Sequence, residues 1–472
     1  MHSLMKVIGI TVLIGFVILG CVLFVRGKNY CRDCNVILIS IDTLRADHLS
    51  MYGYNKNTSP NLDKYAKDAI VFENFYSTAP WTLPAHASMF ASDYPSKLRV
   101  ESIFDKVPDS VLTITEILKK NGYYTYGFDS DSYVSPRWNF QQGFDRYVIE
   151  NADPKSGTDI SVIFSHAQDW LNENKKRKFF LFIHTMEPHD PYCPPQYYTD
   201  EFKNEYKGKL DCIDWRTISG VNTGNLKLEK GDLERFKSLY DGEISYTDYY
   251  LGEFFKKLNE LGLDKKTIVI ITSDHGEEFG ERGAWGKHAS TLYNEQLRIP
   301  LVIKAPNLEK GKEKGKFSTI DISPSILDLL GIEKPMQYKG VSIRTEPRNR
   351  ILFFELGNTK MKNLLEFTAR HGLLPNVEPH ERKNLNTERE KVGLVSGKWK
   401  LIRTFHPAMV ELYNLEQDPL EKTNLAFAND GKVRELESYL IEQFELKEHA
   451  DLQKIEKNIN QNDLNRLRSV GY

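Results

Sequence analysis

The amino-acid sequence predicts an α/β protein with a mostly parallel central sheet flanked by helices, followed by a smaller C-terminal α+β domain. Two observations lead to this fold class. Continuous apolar runs rich in β-branched residues, such as NVILISI at Asn35–Ile41, are typical of strands buried on both faces of a parallel sheet. Amphipathic helical segments separate these runs, and an alternation of strands and helices favours a parallel sheet covered by helices.

The main domain is predicted to span residues 35–345. Its expected strands lie at residues 35–41, 123–130, 178–185, 267–274 and 299–305. A helix is predicted at 113–122, because Thr113 and Glu116 have the spacing of a capping box and a glycine closes the segment. A longer amphipathic helix is predicted at 232–262 and also ends at a glycine.

Residues 346–472 are predicted to form the smaller α+β domain with a helical tail. The sequences ILFFEL, GLVSGKWKLIRTF and MVELYNL are typical of strands joined by polar loops, and a charged helical pattern begins near Lys432. The chain is also longer than one hydrophobic core usually serves, which favours a second domain.

The first 34 residues are predicted to be a membrane anchor followed by a short spacer. Residues 7–25 carry no charged side chain, and as a helix they would be about 28 Å long, close to the hydrocarbon thickness of a bilayer. Two alternatives stay open, a cleaved secretory signal and a lipoprotein signal, because ILGC at residues 18–21 resembles a bacterial lipobox. We therefore expect membrane localisation through a single-pass anchor, or through lipid on Cys21.

Charge and cysteine content bear on the partners and the compartment. The formal net charge is -2 and the basic residues are scattered, so no nucleic-acid-binding surface is expected. The four cysteines outside the apolar run can pair as Cys31 with Cys34 and Cys193 with Cys212, with ordinary free thiols as the open alternative. Two disulfides would suit an oxidising compartment, so the main domain is expected outside the cytoplasm.

Metal-binding side chains follow three of the predicted strands. Asp42 follows the first strand, His184 lies at the end of the third with His189 nearby, and Asp274 ends the fourth with His275 directly after it. Ligands of parallel α/β sheets sit beyond the carboxyl ends of the strands, so these side chains are expected to converge there. Each residue alone could cap a turn or fill the core, but three such strand ends together indicate a metal site.

The chain from residue 35 to about residue 424 resembles the sulfatase family of the alkaline-phosphatase superfamily. NVILISIDTLRADHLSMYGY resembles the opening strand and metal turn, and SPNLDKYAKDAIVFENFYSTAPWTLPAHASMF resembles the nucleophile segment. HTMEPHDPY resembles the substrate-histidine loop, and TIVIITSDHGEEFGE resembles the late metal-binding strand. Further family signatures follow in the same order, including LYNEQLRIPLVI, TIDISPSILDLLGI and ELYNLEQDPLEKTNL. The resemblance implies an alkaline-phosphatase-like fold and an ester-hydrolysing enzyme.

The segment around Thr82 departs from the family pattern. The family has a C-x-P-x-R motif whose Cys, or sometimes Ser, becomes formylglycine, whereas this chain has Thr82, Pro84 and His86 at the matching positions. Threonine cannot form that aldehyde, and Thr43 stands where the metal turn usually has a second Asp. Related superfamily members with Thr nucleophiles act on phosphoesters, so the choice between sulfur and phosphorus stays open. Thr is also a favoured helix N-cap residue, so a capping role for Thr82 is a competing interpretation.

The resemblance implies one divalent cation, with calcium favoured by the family and Mg, Mn or Zn as alternatives. The expected metal ligands are Asp42, Thr82, Asp274 and His275. The expected catalytic residues are Thr82 as the nucleophile with His86, His184 and Lys287, and the expected substrate-binding residues are Arg45, His189 and His288. A two-metal site that recruits His189 and His288 is a weaker alternative.

Three functions are compatible with these residues. The first is a membrane-anchored hydrolase that acts through Thr82 on a sulfated or phosphorylated glycan, lipid or small-molecule ester. The second is a transferase of phospho-alcohol headgroups, although such superfamily members usually have several membrane spans and one is expected here. The third is a non-catalytic binding protein, although a decayed site would not be expected to keep Asp42, Asp274 and His275 beside a hydroxyl. Hydrolysis of sulfate or phosphate esters or diesters is therefore the predicted function.

Overall fold

A computed structural model describes residues 30–130, 133–150, 159–203, 205–208, 210–345, 350–357, 390–405 and 407–446. The predicted anchor and Cys21 lie outside these residues. Within the described ranges, no helix combines the length and the apolar character needed to cross a membrane. The predicted disulfide pairing is confirmed, because Cys31 is bonded to Cys34 and Cys193 to Cys212.

The main domain is built on an eight-stranded sheet. The strands of this domain, eight in the sheet and two in a separate ribbon, are in chain order β1 Asn35–Ile41, β2 Ile70–Tyr76, β3 Tyr124–Asp129, β4 Arg146–Ile149, β5 Phe179–Thr185, β6 Thr267–Ser273, β7 Glu278–Phe279, β8 Trp285–Lys287, β9 Leu301–Lys304 and β10 Gly311–Ser318. β7 and β8 form a separate two-stranded ribbon, and the others are ordered β10-β2-β9-β6-β1-β5-β3-β4. Every neighbouring pair in the large sheet is parallel except the two that involve β9. The predicted mostly parallel sheet is confirmed.

Helices cover both faces of this sheet. They are α1 Pro60–Ala66, α2 Thr82–Ala91, α3 Pro95–Leu98, α4 Ile114–Lys120, α5 Ile160–Asn174, α6 Gln196–Glu201, α7 Trp215–Asn222, α8 Lys230–Glu260, α9 Asn294–Leu297, α10 Ile322–Leu330 and α11 Asp430–Phe444. In β1, Val36 and Leu38 join one apolar core with α2 and α10, whereas Ile37 and Ile39 join the other with α5 and α8. Burial on both faces explains why the β1 sequence is continuously apolar.

The strand at 299–305 runs in the opposite direction to the one predicted. β9 is antiparallel to both β2 and β6, whereas a further parallel strand is expected from its apolar run. Residues 274–300 contain only the β7–β8 ribbon and the short α9, so the chain stays at the carboxyl end of β6 and then returns. A parallel return would need a crossover back along the sheet, usually through a helix, whereas α9 has four residues.

The two predicted helices are found close to their expected positions. α4 begins with the expected capping box, in which the Glu116 N–H donates to Thr113 Oγ1 at 3.3 Å and the Thr113 N–H donates to Glu116 Oε2 at 2.8 Å. α8 begins and ends two residues earlier than the predicted range, at Lys230 and Glu260. Its buried face carries Tyr240 and Asp241, which contact the segment that follows β1.

The smaller domain is a four-stranded antiparallel sheet with one helix. Its strands are β11 Ile351–Leu356, β12 Lys391–Ser396, β13 Trp399–Phe405 and β14 Ala408–Asn414, in that spatial order. One face packs against α11, and the other face joins the first core of the main domain through side chains such as Phe354 and Ile402. The small sheet therefore shares a core with the large one.

Candidate active site

Sheet register brings the predicted metal-binding strand ends together. β1 lies between β5 and β6, with Ile41 opposite Thr185 on one side and opposite Ser273 on the other. Asp42 and Asp274 each follow the last residue of their strand, so the two carboxylates emerge side by side. The structure therefore gathers strand-end side chains at the carboxyl edge, as the sequence predicts.

Three of these residues form a group that can hold a metal ion. Ligand atoms of Asp42, Asp274 and His275 all lie within 4.8 Å of one another. The His275 Nδ1–H donates to the Gly276 carbonyl at 3.0 Å, which leaves Nε2 with its lone pair facing both carboxylates. His275 Nε2 is 3.5 Å from Asp42 Oδ1 and 3.4 Å from Asp274 Oδ2.

The electrostatics of this group favour a cation. Among the described residues, Asp42 Oδ1 and Asp274 Oδ2 are buried and accept no hydrogen bond. Burial, followed by the charge of Asp274, raises the pKa of Asp42 to about 8. Burial also lowers the pKa of His275 to about 4, so the ring is neutral at physiological pH and can act as a ligand. A bound cation would compensate the two buried carboxylates.

Thr82 places its hydroxyl beside the same group. Thr82 Oγ1 lies 3.3 Å from His275 Nε2 and 3.5 Å from Asp42 Oδ2. Thr82 is the first residue of α2, and the N-cap residue is Trp81, so the competing capping interpretation is wrong. The hydroxyl is therefore available to the strand-end residues. We call Asp42, Thr82, Asp274 and His275 the floor of the site, since all four side chains are buried.

His86 lies one turn along α2 and is fully buried. Its Nδ1–H donates to the Thr82 carbonyl at 3.0 Å, and the Ser40 hydroxyl donates to its Nε2 at 2.9 Å. Burial lowers the pKa of His86 to about 4, so the ring is neutral where the family motif has a cationic Arg. The catalytic role expected for His86 stays a prediction.

His184 sits at the other side of Asp42, near the end of β5. Its Nδ1 is 3.0 Å from Asp129 Oδ1, and its Nε2 is 3.7 Å from Asp42 Oδ2. Burial lowers the pKa of His184, but the hydrogen bond and charge of Asp129, together with the charges of Asp42 and Asp274, raise the pKa overall. The catalytic role expected for His184 stays a prediction.

We call His189, Lys287 and His288 the rim of the site. The His288 ring is 4.6 Å from the His275 ring and 5.1 Å from the His189 ring, measured between centroids. His288 Nδ1 is 3.2 Å from Glu277 Oε1, and Tyr192 donates to Glu277 Oε2 at 3.0 Å. The rim histidines thus face the floor from one side.

His189 is held by the residue that follows it. Its Nδ1–H donates to the Asp190 carbonyl at 2.9 Å. Burial alone would lower the pKa of His189, but the charges of Asp190, Asp42 and Glu277 raise it to about 9. In this environment the ring carries a positive charge at neutral pH, which suits contact with an anion.

Lys287 and Arg45 are placed differently from each other. Lys287 lies on β8, and within the described residues its ammonium group has no hydrogen bond or ion pair. The buried Arg45 guanidinium donates to both carboxylate oxygens of Asp47 and to Glu281 Oε1, and it also donates to the Glu277 carbonyl. A direct substrate contact would compete with these bonds, so the substrate-binding role expected for Arg45 stays a prediction that the geometry does not favour.

Four residues around the site are absent from the sequence-based set. Ser40, Asp129, Tyr192 and Glu277 each contact one of the predicted side chains or their partners. Glu277 lies two residues after His275 in the same motif, Ser40 and Tyr192 lie in the motifs that begin at residues 35 and 184, and Asp129 lies near the end of the predicted strand at 123–130. Local patterns therefore place these residues near the site, whereas strand pairing and loop packing determine which partner each one finds.

The fold and the site define an ester-hydrolysing enzyme with an alkaline-phosphatase-like architecture. A sequence model described as Sulfatase matches residues 34–332, which is more than half of the chain. The chain therefore belongs to the sulfatase family, whose members depend on a metal ion.

Individual relatives agree with this assignment. The chain is 25% identical over 461 residues to a choline-sulfatase of Rhizobium meliloti, covering 84% of this chain and 83% of the relative. A structure in complex with its substrate D-glucosamine-2-N,6-O-disulfate matches with a TM-score of 0.68 and 19% identity, covering 88% of this chain and 98% of that one. The phosphonate monoester hydrolase of Agrobacterium radiobacter matches with a TM-score of 0.66 and 18% identity, covering 87% and 95%. The two structural matches establish the fold.

Proposed function

We propose that this chain is a metal-dependent hydrolase of phosphate or sulfate esters in which the Thr82 hydroxyl is the nucleophile. The observation that carries this proposal is the position of Thr82 Oγ1, 3.3 Å from His275 Nε2 and 3.5 Å from Asp42 Oδ2. Thr82 also opens α2, where free N–H groups and the helix dipole favour an anion. An ester phosphate or sulfate is thereby stabilised next to the hydroxyl.

The floor residues fit a divalent cation. Asp42 and Asp274 offer carboxylate oxygens, His275 offers a neutral Nε2, and Thr82 offers its hydroxyl. When bound, the cation lowers the pKa of the hydroxyl and polarises a non-bridging oxygen of the ester.

Two displacement steps complete the proposed reaction. In the first, the Thr82 hydroxyl loses its proton to solvent, Thr82 Oγ bonds to phosphorus or sulfur as the bond to the alcohol breaks, and His288 Nε2 gives its proton to the leaving oxygen. In the second, water gives a proton to the same nitrogen and attacks the Thr82 ester, and the Thr82 oxygen leaves and takes up a proton from solvent, which restores the hydroxyl and releases the anion. Glu277, bonded to His288 Nδ1, holds the ring in the orientation that both steps need. Lys287 and His189 bind the remaining anionic oxygens.

Threonine favours phosphorus as the reacting centre. A formylglycine hydrate has a second hydroxyl that can expel sulfate, but Thr82 has one hydroxyl, so water must attack the ester at sulfur or phosphorus. Phosphoryl centres suit this second attack better, and we propose that phosphoesters are hydrolysed faster than sulfate esters.

The proposed substrate is an anionic ester of a glycan, lipid or small alcohol outside the cytoplasm. Sulfated small molecules and sugars in the names of the choline-sulfatase and the glucosamine disulfate complex support this substrate class. The two disulfides support an oxidising compartment. We propose that residues 1–34 anchor the enzyme to the membrane, through a spanning helix or through lipid on Cys21.

One substrate panel tests the function. The full-length protein in detergent is stripped of metal and then assayed with Ca, Mg, Mn or Zn on aryl sulfate, aryl phosphate, bis-aryl phosphate and aryl phosphonate, beside Thr82→Ala. We expect metal-dependent hydrolysis with a phosphorus ester as the best substrate, and loss of that activity in Thr82→Ala. Dominant sulfatase activity would contradict the phosphorus preference, and full activity in Thr82→Ala would contradict the nucleophile.

A further inference from the structure

The edge of the large sheet opposite the active site gathers a second group of charged side chains. The neighbouring parallel strands β6, β1, β5 and β3 all begin at this edge, at Thr267, Asn35, Phe179 and Tyr124. Asn35 Nδ2 donates to Thr267 Oγ1 at 3.5 Å, and the Phe179 N–H donates to Asn35 Oδ1 at 3.2 Å. The Tyr124 N–H donates to the Lys178 carbonyl at 2.9 Å. The segments that precede these four strands therefore lie side by side.

These preceding segments are rich in lysine and arginine. Nine basic and two acidic side chains lie in them, at residues 32–34, 119–123, 175–178 and 264–266. We call the nine basic side chains the basic face. The Lys266 ammonium group donates to the Lys175 carbonyl at 3.5 Å, so segments that precede different strands meet. Because its members come from four separate parts of the chain, the basic face is formed only by the fold.

Most of the basic face is exposed. Seven of its nine residues are exposed, and Lys175 and Lys178 are half-buried. Lys119 forms an ion pair with Asp145 at 2.8 Å, and within the described ranges the other eight basic side chains form none. Cations near the C-terminal ends of α4 and α5 complement the helix dipoles, but that effect ends within the last turn and does not account for residues 265–266. The face therefore presents a net positive charge to its surroundings.

The chain joins the basic face shortly after the predicted membrane anchor. The apolar run ends at residue 25, and five residues further on, Tyr30 lies beside Arg32, whose guanidinium carbon is 5.9 Å from the Tyr30 ring centroid. The Tyr123 hydroxyl donates to the Cys34 carbonyl at 3.1 Å, which fixes this part of the chain to the domain. Five residues span at most about 18 Å. A bilayer that holds the anchor would therefore lie within reach of the basic face.

We propose that the basic face binds the anionic headgroups of the bilayer that holds the proposed anchor. This inference rests on that anchor and goes beyond it, because it assigns a second membrane contact to the folded domain. Each lysine or arginine near an anionic membrane surface contributes about fivefold to binding, so several together hold the domain against the lipid.

The contact also determines which way the active site faces. The seven residues of β1 separate the basic face from Asp42 by about 23 Å, at about 3.3 Å for each residue. The floor of the site then faces away from the bilayer. An ester in solution would reach it more readily than a lipid of the same bilayer.

Lysine footprinting of the full-length protein in nanodiscs tests the proposal without any assay of hydrolysis. Nanodiscs of phosphatidylcholine are compared with nanodiscs in which part of that lipid is replaced by phosphatidylglycerol, and acetylation by a soluble reagent is read by mass spectrometry. We expect the reactivity of Lys176 and Lys265 to fall at least about fivefold in the anionic nanodiscs. It should recover in about 1 M salt, where the Debye length is about 3 Å. Lys230 at the start of α8 is the internal control, since its side chain is 92% exposed.

Charge reversal supplies a matched pair of variants. The triple variant Lys175→Glu/Lys176→Glu/Arg177→Glu should lose the protection of Lys265 in anionic nanodiscs. The variant Lys310→Glu/Lys312→Glu/Lys314→Glu changes the net charge equally on and beside the exposed edge strand β10, and it should keep that protection. Far-UV circular dichroism checks that both variants fold, and Lys175→Gln/Lys176→Gln/Arg177→Gln replaces the first variant if it does not.

The outcomes separate this proposal from the proposed hydrolase. Equal reactivity of Lys176 and Lys265 in the two kinds of nanodisc would overturn it, as would equal protection of Lys265 in the two reversal variants. Protection by heparin in neutral nanodiscs, with none from phosphatidylglycerol, would assign the face to a soluble polyanion and overturn it as well. Failure to enter nanodiscs of either lipid would contradict the anchor and this inference with it. Lipid-dependent protection in a protein that hydrolyses no ester would contradict the hydrolase alone.

Discussion

The floor and the rim of the active site are built in different ways. Floor residues Asp42 and Asp274 directly follow adjacent parallel strands, so sheet register fixes their separation. His189 lies on a loop, Lys287 ends β8 and His288 follows it, and the side chains of His189 and His288 are 17% and 20% exposed. The floor is thus buried and positioned by sheet register, whereas the rim borders solvent.

This difference suggests a division of labour. Buried carboxylates and a neutral imidazole suit cation binding and nucleophile activation, which need fixed geometry in a region without water. Partly exposed cationic and titratable groups suit anion binding and proton transfer to a leaving group that enters from solvent. We therefore expect floor substitutions to abolish ester hydrolysis, whereas rim substitutions should reduce the rate of hydrolysis to an extent that depends on the substrate.

The largest expected effect comes from removing the floor hydroxyl. Thr82→Val keeps the shape of the side chain but has no nucleophile, so kcat/KM is expected to fall at least about 10⁴-fold, as for nucleophile loss in other hydrolases. Thr82→Ser keeps the hydroxyl and is the matched control, with most of the activity retained. Steady-state kinetics on the best ester of the substrate panel measures both. Equal activity of the Val and Ser variants would show that the floor does not supply the nucleophile.

On the rim, His288→Gln is expected to have a smaller effect that depends on the substrate. Loss of the proton donor should reduce kcat by about 10²- to 10⁴-fold for esters with poor leaving groups, and much less for esters with good ones. A series of aryl esters with graded leaving-group pKa values measures this dependence. A uniform loss across the series would assign His288 a role in binding instead.

The same comparison explains what could be predicted from the sequence. Asp42, Asp274 and His184 follow or end continuous apolar runs, and the carboxyl ends of parallel strands meet at one edge, so their convergence was predictable. The antiparallel β9 could not be predicted, because its apolar run carries no sign of strand direction. Direction depends on the connection from β6, which a local pattern does not specify.

The partners of the site residues were not predictable for a related reason. Asp129 meets His184 only because β3 pairs with β5 in that register, across 55 residues of sequence. Arg45 was expected to contact substrate, but Asp47 and Glu281 engage its guanidinium. Residue type indicates which chemistry is possible, whereas tertiary packing determines which partner each group finds.

The contact between the small sheet and α9 can be broken by one substitution. Lys400 of β13 is fully buried, with its Nζ 2.7 Å from Glu421 Oε1 and 2.9 Å from Asn294 Oδ1 on α9. Lys400→Met would leave the Glu421 carboxylate buried without its cation, so the free energy of unfolding should fall by about 3–5 kcal/mol. Denaturant unfolding measures this change, and the double variant with Glu421→Gln should recover part of it. A single variant as stable as wild type would contradict a stabilising role for the pair.

The smallest expected effect concerns the loop that carries His189. Burial raises the pKa of Glu187 to about 7, above its ordinary value of 4.5, and the Ile160 N–H donates to its Oε1 at 2.9 Å. The folded state therefore holds the proton more strongly than the unfolded state, so the free energy of unfolding should fall as the pH rises from 4.5 to about 7.

Glu187→Gln keeps a neutral side chain and should weaken this dependence. Some of it should persist, because burial and Glu187 also raise the pKa of Glu243. Urea unfolding at about pH 5 and about pH 8 measures the dependence, with the exposed Glu260→Gln as control. If Glu187→Gln and wild type lose the same stability between these pH values, the rim loop does not bury a titrating carboxyl.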